Sequence, residues 1–268
     1  MRLFALLLAL LALLAAAPAQ AHDLFLKPDA FLLAPRSNVR VRMFNGTFTQ
    51  SENAVTRDRV RDFTLVTPES VRHPENISWK DAGKASEFAI GVGPPGTYVL
   101  GLSIKPRELK MDGKAFNDYL REEGVLDVLA VREQAGELQR PLRERYSKHV
   151  KALLQVGDTK SDVSRPLGYP AEIVPLGNPY ALAVGAELEL LCLVDGAPAA
   201  GVNVIAGSQA RPGAAPETKR YAADAEGKVR VPIRTAGKQF AKFIRMVRAD
   251  ETGLDYESKW ATLTFEVR

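Results

Sequence analysis

Short apolar runs separated by turn residues make up most of the chain after residue 22. Residues 39–44 alternate between apolar and charged side chains, and Asn45-Gly46 follows as a turn signal. Another strand-like run, 97–102, comes directly after Pro94-Pro95-Gly96. Short strands at this spacing predict an all-β fold made of two antiparallel β-sandwich domains of the immunoglobulin-like or transthyretin-like type.

The pattern changes between about residues 111 and 140. Residues 112–124 place Phe116, Tyr119 and Leu120 on one face and end at Gly124, which predicts a short helix, and a second helix is predicted at 125–134. Apolar residues then alternate again from 150 to 156. We therefore expect a short helical insertion, about 111–140, within the first sandwich.

A Pro-, Gly- and Ser-rich stretch separates the two predicted sandwiches. It extends from 161 to 179, and we place the linker at 166–179. Residues 22–165 are then the N-terminal sandwich and 180–268 the C-terminal sandwich. The single cysteine, Cys192, lies within the apolar run 188–194, so we expect a buried thiol and no internal disulfide.

The first 21 residues have the layout of a secretory signal peptide. Arg2 precedes an apolar run at 3–17, and Ala19-Gln20-Ala21 matches the A-x-A cleavage pattern. Cleavage after Ala21 leaves His22 as the first residue of a periplasmic or secreted protein. No later apolar stretch approaches about 18 residues, so no transmembrane segment is expected in the mature chain.

Charge is nearly balanced along the chain. There are 36 Lys and Arg against 32 Asp and Glu, with a net charge of +4. Runs such as 57–62 alternate in sign, as on a solvated surface, so we expect no nucleic-acid partner.

The candidate chemistry is metal binding at the mature N-terminus. A terminal His22 offers its α-amine and Nδ1 as a chelate, and nitrogen ligands of this kind favour nickel, cobalt and copper. His149 is the candidate second imidazole, and the carboxylate of Asp23 is a candidate to complete the site. The alternatives are an exposed terminal residue for His22 and a surface imidazole for His149, because His149 shares a predicted strand face with Lys151.

Motifs along the chain resemble two known families. The D-G-x-P-x-x-G-x-x-V text at 195–204, followed by D-x-x-G at 224–227, resembles transthyretin-like or carboxypeptidase-regulatory-like modules. The mature chain as a whole is similar to the NikM-like periplasmic family, a domain of unknown function associated with nickel or cobalt uptake. The stretches that carry this likeness are HDLFLKP (22–28), FNGTF (44–48), FNDYL (116–120), YSKHVK (146–151), PLGNPY (175–180) and ESKWATLTF (257–265).

The resemblance implies an exported two-sandwich protein associated with divalent transition metals. A membrane metal transporter is then a possible partner. One position departs from the family pattern, because relatives tend to carry a His where this chain has Arg245. An arginine stays protonated and cannot act as a metal ligand in its place.

Three functions follow from these observations. The favoured one is non-enzymatic binding or delivery of a divalent transition metal. The second is a structural or interaction module of the envelope that binds no metal. The third is a copper-dependent oxidase, since His22 and His149 together resemble a histidine brace. No HExxH, CxxC, Walker A or Gly-x-Ser-x-Gly motif is present.

Overall fold

A computed structural model describes residues 22–268, and the predicted signal peptide lies outside these described residues. Strands account for 50% of the residues and helices for 11%, which confirms an all-β, sandwich-like fold with short helices. The strands are β1 (Asp23–Pro28), β2 (Leu32–Leu33), β3 (Asn38–Gly46), β4 (Val60–Val66), β5 (Val71–Arg72), β6 (Lys80–Ala82), β7 (Ala85–Gly91), β8 (Gly96–Ile104), β9 (Arg107–Met111), β10 (Leu142–Val156), β11 (Ala171–Pro175), β12 (Glu187–Val194), β13 (Ala197–Pro198), β14 (Asn203–Gln209), β15 (Glu217–Ala222), β16 (Lys228–Pro232), β17 (Gly237–Arg248) and β18 (Tyr256–Val267). The helices are α1 (Gly113–Glu123) and α2 (Leu126–Gln134).

The strands form three sheets. The N-terminal sheet has the order β1-β3-β7-β6, and the C-terminal sheet contains β11, β12, β13 and β16. The central sheet has the order β15-β14-β17-β18-β10-β8-β4-β5, with β2 and β9 also paired to β10. Most pairs are antiparallel, but β10 pairs in parallel with both β18 and β2. Each such pair needs a long crossover, which the chain between the two paired strands provides.

The central sheet is covered on both faces, and each cover closes its own hydrophobic core. Leu154 belongs to the core beneath the N-terminal sheet, whereas its neighbour Leu153 belongs to the core beneath the C-terminal sheet. Successive side chains of a strand point to opposite faces, so one strand serves both cores. The middle of β10 is therefore buried throughout, with no solvent-facing side.

The helical insertion is where the sequence predicts it. Asp112 caps α1, since its side chain accepts a hydrogen bond from the Ala115 amide at 2.8 Å. Gly124 caps the end of the helix, and its φ of 75° suits glycine. The apolar face of α1 packs with Tyr256 and Trp260 of β18 in a third core. No helix among the described residues is long and apolar enough to cross a membrane.

The segment 166–179, predicted as a linker, contains a strand. Residues 171–175 form β11, which is buried along its length and pairs with β12. Most of the Pro and Gly residues that favoured a linker flank this strand, and Pro175 is its last residue. The central sheet also joins strands from both sides of this segment. The division into domains 22–165 and 180–268 stays a prediction.

Candidate functional site

The first strand is anchored on the central sheet. All six residues of β1 are buried. The Leu24 carbonyl accepts a hydrogen bond from Thr262 Oγ1 at 2.7 Å, and the Leu26 carbonyl accepts one from Thr264 Oγ1 at 2.8 Å. These bonds tie β1 to β18 and fix the position of His22 and Asp23 at its start.

His22 is partly buried at the start of β1, and its imidazole Nε2 lies 3.2 Å from Glu52 Oε2. Burial lowers the pKa of the imidazole, and the Glu52 carboxylate opposes that change. A neutral imidazole that donates from Nε2 keeps its lone pair on Nδ1. Nδ1 is the nitrogen that a six-membered chelate ring with the α-amine would use.

Asp23 contributes one paired and one unpaired carboxylate oxygen. Its Oδ2 accepts from Lys242 Nζ at 2.5 Å, and the same ammonium donates to Glu123 Oε2 at 2.6 Å. Asp23 Oδ1 is buried and has no hydrogen-bond partner in the described part of the chain. A buried acceptor left unsatisfied costs about 1–3 kcal/mol, so this oxygen is available for a ligand.

Lys242 and Glu123 have shifted pKa values because they are buried together. Burial alone would lower the pKa of Lys242, but Asp23 and Glu123 together raise it to about 12. Burial and the nearby Asp23 carboxylate raise the pKa of Glu123 to about 7. The ammonium therefore stays charged at neutral pH and holds the two carboxylates together.

A second buried lysine lies beneath His22. Lys148 Nζ donates to the His22 carbonyl and lies 5.0 Å from the centre of the Trp260 ring. Burial lowers the pKa of Lys148 to about 8, although Asp23, Glu123 and Glu144 oppose the change. A cavity of about 70 Å³ opens here, lined by His22, Asn45, Leu109, Glu144, Tyr146, Lys148 and Trp260.

Glu144 closes the inner side of this cavity. Its Oε1 accepts hydrogen bonds from Tyr119 Oη at 3.2 Å and from Ser258 Oγ. Burial raises the pKa of Glu144 to about 7, and the two hydroxyl donors only partly oppose that change. Burial thus favours the protonated form of this carboxyl group.

His149 is buried, so the expectation of a surface imidazole is wrong. Only 2% of His149 is exposed, because residues around Tyr169 and the C-terminal sheet cover this face of β10. Its Nδ1 lies 2.8 Å from Ser103 Oγ, and its Nε2 lies 3.1 Å from Ser147 Oγ. Burial, with help from Arg61 and Lys259, lowers the pKa of His149 to about 3.

His22 and Asp23 are neighbours in the sequence that line different cavities, and the structure does not bring His149 to either of them. Lys148, which contacts His22, and His149 are neighbours on β10, so their side chains point to opposite faces of the central sheet. Both nitrogens of His149 already have serine partners. Among residues 22–268, no group of three or more His, Cys, Asp and Glu side chains is placed to hold a metal ion. The histidine brace therefore lacks its second imidazole.

Arg245 lies away from His22, Asp23 and the charged residues around them. Its side chain is exposed on β17, opposite Lys259 of β18. Its neighbour Ile244 packs in the helical core on the other face of the strand.

Sequence reasoning missed the partners of His22 and Asp23. Glu52, Glu123, Lys148 and Lys242 come from four separate parts of the chain and share no motif spacing. The one available signal was the charge of Lys242 between the apolar pairs 240–241 and 243–244 of β17. Such a residue is rarely buried unless it is paired.

The fold and this cluster define an all-β protein that encloses buried charged side chains beneath its first strand. The chain belongs to the family described as "Domain of unknown function (DUF4198)", whose model matches residues 19–245. No curated protein matches the chain.

Solved structures similar to this chain are distant from it. Trypsin-activated alpha-2-macroglobulin from Escherichia coli is 11% identical with a TM-score of 0.25, and the match covers 94% of this chain and 16% of that one. The Yersinia pseudotuberculosis adhesin InvE is 13% identical with a TM-score of 0.24, covering 91% and 58%. A DUF4785 family protein from Legionella pneumophila is 10% identical with a TM-score of 0.24, covering 81% and 50%. Likenesses this weak carry no argument about function.

Proposed function

We propose that this protein binds a divalent transition metal of the nickel, cobalt and copper class at His22 and Asp23, without catalysing a reaction. The proposal requires cleavage after Ala21, which makes the α-amine of His22 a ligand. Side chains of the described residues alone do not supply three donors in one place. A site here therefore needs the terminal amine.

The contact between His22 Nε2 and Glu52 Oε2, at 3.2 Å, carries the proposal. A histidine that ligates a metal almost always donates its other ring N–H to a carboxylate or carbonyl group, which fixes the ring and its tautomer. Glu52 is placed to be the carboxylate that accepts a hydrogen bond from this other ring nitrogen. Nδ1 and the α-amine are then free to close a chelate ring on the metal.

Asp23 supplies the third candidate donor. Its buried Oδ1 lacks a hydrogen-bond partner, and it belongs to the residue that follows His22. The cavity of about 70 Å³ that His22 lines, and that Asp23 borders only through the chain, has room for an ion with water ligands, because one water needs only about 10–15 Å³ of such volume. Nitrogen and oxygen donors in this combination suit nickel, cobalt and copper.

The same proposal includes a more specific family, the NikM-like proteins, and a cellular role. A NikM-like protein with a nickel- or cobalt-binding N-terminus would act in the periplasm, after export, and pass its metal to a membrane transporter. Binding through the chain terminus is compatible with transfer, since the site is at the edge of the fold and His22 keeps 18% of its side chain exposed.

The test compares two proteins that differ only at their first residue. One begins with a free amine at His22, and in the other this amine is acetylated, which removes it as a ligand. Isothermal titration with Ni²⁺, Co²⁺, Cu²⁺ and Zn²⁺ should give a dissociation constant below about 10 μM for at least one metal with the first protein. We expect binding at least about 100-fold weaker with the second.

Two variants of the protein that begins at His22 complete the experiment. Glu52→Gln should weaken binding about 10- to 100-fold, because the ring loses its orienting carboxylate. His73→Ala is the matched control and should bind as the unaltered protein does, since His73 pairs with Asp62 at an exposed position. Equal binding by the two N-terminal forms, or no binding tighter than about 10 μM, would contradict the proposal.

A further inference from the structure

The two sheets around the C-terminal core leave a cavity of about 240 Å³ between them. On one side lie β14, β15, β17 and β18 of the central sheet, and on the other lie β12 and β16 of the C-terminal sheet. Leu188, Leu190, Val231 and Phe265 line it and are almost completely buried. The interior of the cavity is therefore mainly apolar, with Ser208 and Gln239 as polar lining residues.

The cavity opens to solvent where the edge strand β15 faces the end of β16. Lys219 and Arg234 line it and are exposed, as is Glu217. Lys219 Nζ lies 5.9 Å from the centre of the Tyr221 ring, and Tyr221 also lines the cavity. The mouth thus carries two cationic groups and one carboxylate above an apolar and aromatic interior.

Size limits the ligand that this space can accept. A cavity of about 150 Å³ lined by Leu, Ile and Phe side chains stays dry and binds benzene. A volume of about 240 Å³ accommodates one aromatic ring and a short chain. It is smaller than the sites of about 300–1,000 Å³ that bind drug-sized molecules.

We propose that this cavity is a binding site for a small aromatic monocarboxylate. The ring would pack against Phe265 and Tyr221, and the carboxylate would reach Lys219 and Arg234 at the mouth. Aromatic pairs favour offset or edge-to-face packing, and charge-assisted hydrogen bonds are about twice as strong as neutral ones. The site is separate from His22 and does not depend on a bound metal.

The test compares a carboxylate with its neutral counterpart. Isothermal titration or NMR titration would use 3-phenylpropionate and 3-phenylpropan-1-ol, which share the ring and the chain. We expect a dissociation constant below about 1 mM for the acid and binding at least about fivefold weaker for the alcohol.

Charge reversal at the mouth separates specific binding from simple apolar occupancy. Lys219→Glu/Arg234→Glu should remove the advantage of the acid over the alcohol and leave the binding of the alcohol unchanged. Lys228→Glu/Lys110→Glu makes the same change in net charge at exposed residues that do not line the cavity, and it should keep the advantage. Ala206→Leu reduces the cavity itself and should weaken the binding of both compounds.

The proposal fails under three results. The first is that the acid does not bind at 5 mM (about five times the expected limit). The second is that the acid and the alcohol bind equally well. The third is that both charge-reversal variants lose the preference for the acid to the same extent. Unfolding curves of each variant show whether it is folded, and the four exposed positions keep the test decisive even if Ala206→Leu does not fold.

Discussion

Lys148 donates a hydrogen bond from its buried ammonium group to the backbone carbonyl of His22, 126 residues earlier in the chain. The bond joins the start of β1 to the middle strand of the central sheet. Asp23, Glu123 and Glu144 all favour the charged form of this lysine, and Lys242 pairs directly with the first two. Lys148 therefore fixes the start of β1 and shares the balancing of these carboxylates with Lys242.

Removing this lysine should destabilise the fold and release the first strand. Lys148→Met keeps the stem but leaves the His22 carbonyl without its donor and removes one of the two buried cations near Asp23 and Glu123. We expect a loss of about 3 kcal/mol in the free energy of unfolding, measured with urea. Lys114→Met, at an exposed helical ion pair, is the control and should change it little. A loss below about 1 kcal/mol for Lys148→Met would show that the lysine has no such role.

We expect Lys151 and Glu172 to be energetically coupled, because replacing one of them leaves the other buried without its partner. Both side chains are at most 3% exposed, and Glu172 also accepts hydrogen bonds from the Leu167 and Tyr169 amides. Lys151→Met should cost about 3–5 kcal/mol, because it leaves a buried carboxylate without its cation.

The double variant Lys151→Met/Glu172→Gln should cost clearly less than the sum of the two single changes, as a double-mutant cycle of urea unfolding would measure. The surface pair of Arg230 and Glu189 is the matched control and should show almost no coupling. Additive losses at Lys151 and Glu172 would mean that the two groups act independently.

Alternation along the chain predicted the strands well but not which faces are covered. The pattern at 150–156 correctly predicts a strand. The expected surface positions of His149 and Lys151 assumed that one side of that strand faces water. That assumption holds for many antiparallel sheets but not for a sheet covered on both faces. The cover is supplied by β11, which lies inside the segment predicted as a linker and pairs with β12.

The candidate site shows the same division between local and distant information. His22 and Asp23 were predicted from adjacent residues and a cleavage pattern. Their partners come from strands and helices brought near by the folded topology, and Asp23 is 219 residues from Lys242. No local spacing encodes such a contact. An alternation pattern therefore predicts secondary structure but not the charges that meet across the sheets.

His149 should make the protein less stable as the pH falls. Its pKa is lowered from 6.5 to about 3 in the folded state. Between these values the unfolded chain binds the extra proton, so stability is lost as the pH decreases, by about 1.4 kcal/mol per pH unit. Relative to His149→Gln, the wild type should lose about 2 kcal/mol between pH 7 and pH 5. Asn178→Ala, which removes a group that does not titrate, is the control, and its free energy of unfolding should differ from that of the wild type by a constant amount. A constant difference for His149→Gln would contradict the prediction.

Glu144 should produce the opposite dependence on pH. Its pKa is raised from 4.5 to about 7 in the folded state, because burial disfavours the carboxylate. Between these values the folded protein binds the extra proton, so this contribution to stability is present at low pH and is lost as the pH rises through 7. Glu144→Gln resembles the protonated group and still offers an acceptor to Tyr119 and Ser258. The stability of this variant relative to the wild type should therefore increase by about 2–3 kcal/mol between pH 5 and pH 8, measured by urea unfolding. Gln239→Ala, at a buried group that does not titrate, is the control and should show no such trend. If the relative stability of Glu144→Gln stays flat or falls as the pH rises, the carboxyl group is ionised in the folded protein throughout this range.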